Sequence, residues 1–188
     1  MCNELKHYLV KQDWAAGDAK AELRARFSWL DDDDFAAACD GTLGPKYLYR
    51  MIPELHPLNT DVEDLDVIGK AIDKGSGQYE YVPAKICPGD AVGHFMTAFP
   101  NMTTLTVAWT NLVSVMAAGA RDPAEGMRLM LAMNEYFSWL AEASDFYTWE
   151  SVCKYHIRFT RQLFHKGAKA DKFADMHNGK YTVILNPK

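Results

Sequence analysis

Asp122-Pro-Ala-Glu-Gly-Met-Arg-Leu-Met-Leu-Ala-Met-Asn-Glu-Tyr-Phe-Ser-Trp-Leu-Ala-Glu-Ala143 is the stretch on which the fold turns. It opens with three helix-start signals in succession: Asp122 as a cap, Pro123 at the first helical position, and Glu125 three residues beyond the cap. Met127, Leu129, Met130, Leu131, Met133, Tyr136, Phe137, Trp139 and Leu140 follow. At the helical period they point nearly all round the axis, which predicts a helix over 123–143 buried on most sides.

Working outward, Thr103 or Thr104 is placed to cap a preceding helix that stops at Gly119. On the other side a helix is expected from Thr148 to His165, with Gly167 as its stop. Farther upstream, Asn3–Trp14 and a segment capped by Asp18 show helical spacing, and the acid run Asp31–Asp34 suits the start of a helix through Cys39. Thr60-Asp-Val-Glu63 reads as a capping box opening a helix that ends at Gly75, with Gly75-Ser-Gly77 as a flexible break. Tyr79–Ile86 looks extended, its Pro83 demoting it to an edge strand. Pro88-Gly-Asp90 then turns into a helix carrying Val92, Phe95, Met96 and Phe99. Past Gly167 come a short polar helix or turn and a strand-like tail, Tyr181–Leu185. The expectation is a mainly α, single multi-helix domain with at most a small two-stranded β element, around 79–83 and 181–185. Its parts are an acidic helical portion (1–100), the central and basic helices (101–167) and a basic tail (168–188).

With 48% apolar and 12% aromatic residues, the 188-residue chain carries enough apolar mass for a substantial core, which argues against general disorder. The longest apolar run, Leu105–Ala120, is interrupted by Thr106, Thr110, Asn111 and Ser114, so no membrane span is expected. The first thirty residues lack the apolar run of a secretory signal, and Cys2, Cys39, Cys87 and Cys153 are unpatterned. An intracellular protein with reduced thiols is expected.

The net charge of -5 is unevenly spread. Residues 151–188 hold Lys154, Arg158, Arg161, Lys166, Lys169, Lys172, Lys180 and Lys188 against Asp171 and Asp175, while the rest of the chain is acidic. On the helix 148–165, Lys154, Arg158, Arg161 and His165 fall within a stripe about 60° wide, with Val152, Tyr155, Phe159 and Leu163 on the far side. Lys166, Lys169 and Lys172 extend the row. Such a row suits phosphates without reading bases, and Tyr155 or His156 at its margin could stack on bases. Pairing with the acidic body, or a solvated face with no partner, are the alternative readings.

Catalytic and metal chemistry find less support. Cys153-Lys-Tyr-His156 has a spacing that directs two ligands to one helix face, but two ligands are not a site, and a packed thiol and histidine are the plainer reading. His94 could approach Cys87 across the Pro88-Gly89 turn, with no third group to complete a catalytic set. No dinucleotide fingerprint, phosphate loop or zinc-protease motif is present. No catalytic residue, metal or cofactor is expected.

Trp109, Ala117/Ala118, Pro123, Met130, Tyr136, Ala143, Trp149, Tyr155 and Arg158-Phe159 are spaced as in the helical gag-like region of tyrosine-recombinase (DIRS-type) retroelements, which the chain resembles over 104–165. The resemblance implies a structural protein that self-associates and packages RNA or DNA. The expected function is therefore a non-enzymatic, capsid-like nucleoprotein. Its basic C-terminal helix (Lys154, Arg158, Arg161, His165, Lys166, Lys169, Lys172) would contact the backbone of single-stranded RNA. The apolar tail Tyr181–Leu185 would either add to a neighbouring subunit or pair within the chain. The alternative is an acidic protein-binding adaptor or inhibitor, with a Cys/His enzyme a distant third.

Overall fold

In the computed structural model, which describes residues 21–43, 45–55, 67–76, 78–85, 91–120, 122–165 and 167–188, helical residues at 21–26 precede α1 (Asp32–Cys39). A 3-10 segment (Pro45–Met51), β1 (Val67–Gly75) and β2 (Gln78–Lys85) come next. Then follow α2 (Ala91–Ala98), α3 (Met102–Gly119), α4 (Pro123–Phe146), α5 (Trp149–Phe164), a second 3-10 segment (Ala170–His177) and α6 (Gly179–Thr182). The protein is mainly α, with one two-stranded antiparallel sheet among the described residues. No helix among the described residues is long and apolar enough to cross a membrane.

The long helices start where side-chain oxygens take up free backbone N–H groups. Asp122 accepts from the Ala124 N–H at 3.0 Å, with Pro123 in the first turn of α4. Thr148 accepts from the Ser151 N–H at the head of α5. For α3 the cap is Asn101, two or three positions upstream of the expected threonine. Its Oδ1 accepts from the Thr104 N–H at 3.0 Å, and the Thr104 hydroxyl answers to the Asn101 N–H. Asp31 caps α1 in the same way, through the Asp34 N–H.

α3 and α4 pack as a helical hairpin, and a Cβ at Gly126 would meet the Ala117 carbonyl oxygen at 2.4 Å. Glycine is thus what lets α4 lie against the end of α3. Buried residues from Phe27 to Tyr181 belong to one hydrophobic cluster, with Trp109, Tyr136 and Tyr155 its largest fully buried side chains.

Three expectations are corrected. α4 is not covered on most sides: Leu129, Met133, Tyr136, Leu140 and Ala143 form its buried stripe, whereas Met127 and Leu131 are more than half exposed, at 54% and 59%. Apolar side chains all round a helix are buried only where neighbours reach them, and among the described residues the buried side chains of α4 share one side. Residues 67–75 are a strand rather than the end of a helix, paired in register with β2 from Val67↔Lys85 to Asp73↔Tyr79. Gly75 and Ser76 are both left-handed (φ 86° and 56°), and Asp73 Oδ1 accepts from the Gly75 N–H at 2.7 Å, so the supposed flexible break is a hairpin turn. Once 78–85 is extended its backbone groups need partners, and the adjacent chain supplies them. Among the described residues both strands are edges, which accommodates Pro83.

The third correction concerns Tyr181–Leu185, which pairs neither with residues 79–83 nor as a free strand. Asn178 caps α6 through the Lys180 N–H, and Tyr181 turns inward with its ring edge-on to Phe159, centroids 5.2 Å apart. The chain then runs back to the α4–α5 junction, where the Thr148 N–H donates to Asn186 O and the Lys188 N–H to Phe146 O, each at 3.0 Å. The expected helix Asn3–Trp14, the Asp18 cap, the Thr60–Glu63 box, the Pro88–Asp90 turn, Cys2, Cys87 and Lys166 lie outside the described residues.

Candidate anion-binding groove

α5 separates its roles by face. Val152, Cys153, Tyr155, His156, Phe159, Thr160, Leu163 and Phe164 are buried, while Lys154, Arg158, Arg161, Gln162 and His165 stand in solvent. The stripe read from the 100° period is therefore present on the surface. Lys154, Arg158 and Arg161 line one groove of about 450 Å³, together with Gln162, Ile157, Val92 from α2 and Ile184 from the tail.

Within it, Lys154 is paired with Glu150, one turn earlier on the same helix. Arg158 and Arg161 make no ion pair or side-chain hydrogen bond among the described residues, so their donors are available to a ligand. Gln162 is held from the other side: its Oε1 accepts from Lys180 Nζ at 3.2 Å and from the Tyr181 hydroxyl. With that oxygen occupied, the amide has only its two N–H groups left to offer. The charged and amide side chains of the groove thus offer donors, and Val92, Ile157 and Ile184 supply its aliphatic lining.

The remaining expected residues are not gathered there. His165 continues the stripe beyond the groove and is exposed. Lys169 and Lys172 are exposed at the start of the second 3-10 segment, Lys172 lying 3.4 Å from the neighbouring Asp171. Val92, Ile157, Gln162 and Ile184 were not among the expected site residues. Ile157 and Gln162 flank the cationic stripe on the same helix, a signal present in the spacing; Val92 and Ile184 arrive only through tertiary packing.

Tyr155 and His156 cannot stack on a base from the margin of the stripe, because both are fully buried. The Tyr155 hydroxyl donates to Met176 O at 2.6 Å, and His156 Nδ1 lies 2.7 Å from the Tyr136 hydroxyl. Burial lowers the His156 pKa to about 3, so its ring is neutral at physiological pH. Burial also pushes the Cys153 thiol well above its usual range, which disfavours the thiolate a nucleophile needs. Cys153 and His156 are core residues here, and among the described residues no group of three or more His, Cys, Asp and Glu side chains is placed to hold a metal ion.

Compared with protein-family models, with curated proteins and with solved structures, the chain matches none.

Proposed function

We propose that the protein is a non-enzymatic nucleic-acid-binding protein that grips the phosphate backbone along α5. The observation that carries this reading is the alignment of Lys154, Arg158 and Arg161 on one groove, the two arginines without an ion pair among the described residues. Arginine donates to phosphate in a two-pronged geometry and is weakly hydrated, so it gives up water for such a contact at modest cost. From Lys154 to His165 the row extends about 16 Å at the helical rise, long enough to follow several phosphates of one strand.

The adaptor reading needs the basic helix to be neutralised by the acidic body. The described ion pairs do not favour it, since Lys154 is satisfied from its own helix and the two arginines have no ion pair among the described residues. The tail expected to drive self-association is instead folded onto its own chain at the α4–α5 junction.

The test is fluorescence anisotropy of a labelled single-stranded RNA at 50 and 200 mM salt, where the Debye length falls from about 14 to about 7 Å. Binding that weakens with salt, and is abolished in R158E/R161E, is the expected result. No binding at the lower salt would overturn the proposal.

A further inference from the structure

Resting on that reading, we infer that the groove between α5, α2 and the tail seats an unpaired base, and so makes the protein a binder of single strands in preference to duplexes. A surface built for phosphates alone needs cations facing water. This one sets Val92, Ile157 and Ile184 in the same groove as the cations Lys154, Arg158 and Arg161, with Ile157 flanking the cationic stripe on its own helix. Phosphates cannot use an aliphatic floor, which stays wetted beneath them; the flat, weakly hydrated face of a base removes that water. In a duplex the bases are stacked inside and only phosphates reach outward, so the floor is served only by a strand whose bases are free.

Size and polarity agree. A space of about 450 Å³ lies at the lower end of the range for small-ligand sites, fitting a nucleotide and too small for a folded helix. Gln162, its Oε1 taken by Lys180 and Tyr181, presents only N–H donors, which match the carbonyl oxygens and ring nitrogens on base edges. Arg158 and Arg161, one helical turn apart, then hold the phosphates on either side of the seated nucleotide.

The experiment compares three labelled oligonucleotides of one length with the whole protein at low salt: a single strand, the same strand made of abasic nucleotides, and a duplex. The two single strands carry the same phosphates and differ only in their bases, whereas the duplex carries twice the phosphate with no base free. The intact single strand is expected to bind at least about fivefold tighter than the abasic strand, a margin at the low end of what bases gain on aromatic side chains because this lining is aliphatic. The I157S/I184S variant is expected to shrink that margin below twofold while leaving abasic binding unchanged, with its circular dichroism spectrum confirming the fold. If the variant fails to fold, the comparison of intact and abasic strands on the unaltered protein decides alone. Equal affinity for intact and abasic strands, or tighter binding of the duplex, overturns the base seat and leaves the backbone contact standing. Absence of binding to all three overturns the backbone contact itself, and with it this inference.

Discussion

The Tyr136 hydroxyl and His156 Nδ1 lie 2.7 Å apart at the centre of the helical core, joining α4 to α5 through a polar contact fully sealed from solvent. Trp109 meets the His156 ring edge-on at 5.6 Å between centroids, and Phe95 packs on it at 5.3 Å. His156 Nε2 has no hydrogen-bond partner among the described residues, so the Tyr136 hydroxyl is the ring's one polar contact there. Several consequences for stability follow from this burial.

Acid should loosen the protein through His156. Its folded pKa, lowered to about 3, lies below the ordinary value near 6.5, so the unfolded state binds the extra proton first. The contribution is complete above pH 6.5 and is lost progressively as pH falls toward 3, at a rate approaching about 1.4 kcal/mol per pH unit. Urea denaturation at pH 7, 5 and 4 is expected to show a steeper loss for the natural protein than for H156Q; parallel curves would contradict the assignment.

Removing the hydroxyl alone should also be costly. Y136F leaves His156 without a hydrogen-bond partner among the described residues, and an unmade buried hydrogen bond costs about 1–3 kcal/mol. The denaturation midpoint at pH 7 should fall accordingly, with the aromatic packing around Trp109 and Phe159 retained.

Two glycine-to-alanine changes should differ in sign. At Gly126 the new methyl would meet the Ala117 carbonyl oxygen at 2.4 Å, so G126A should lower stability by about 1–3 kcal/mol despite alanine's better helix propensity. At Gly179 nothing lies within 4 Å of the added carbon, and G179A should be neutral or slightly stabilising. Thermal melts of the two variants check the pair.

The three groove cations should not weigh equally. Each neutralised phosphate adds about 0.7 to the salt slope for single strands, so R158Q/R161Q should flatten it by about 1.4. K154Q should have a smaller effect, because the Lys154 ammonium already has Glu150 as a partner. Anisotropy titrations across a salt series read both values.

Thiol reactivity gives a last check on the core. Cys153 is fully buried and its thiol is held protonated by that burial, so it should react with a thiol reagent only as the protein unfolds. Rapid labelling of Cys153 in the folded protein would contradict its placement.

Local signals carried the helical part of this architecture. Asp122-Pro123, Thr148 and the acid run at Asp31 announce helices because each meets free N–H groups within its own first turn, so no distant contact is needed to read them. The cationic stripe was legible for a similar reason: the helical period alone fixes which side chains share a face. The width of the buried face was not. His156 and Thr160 look marginal by periodicity, yet α5 is packed by α2, α4, α6 and both 3-10 segments, which extends burial over about half its circumference. β1 was not legible because the pairing that makes 67–75 a strand comes from the segment after it, a contact that the local spacing of 67–75 does not carry. Ile184 and Val92 stand far apart in sequence, and only the returning tail brings them beside Ile157.

The division of α5 into a buried half and a charged half also bears on how such a protein can change over generations. The residues that hold α5 in the fold are not the ones that present its charge, so substitution at Arg158, Arg161 or His165 leaves the aromatic interior untouched. Surface substitutions away from packing typically alter stability by no more than about 0.5 kcal/mol. Selection can therefore adjust the strength or even the sign of this face almost independently of foldability, and descendants of one scaffold could hold the same shape while differing in what they bind.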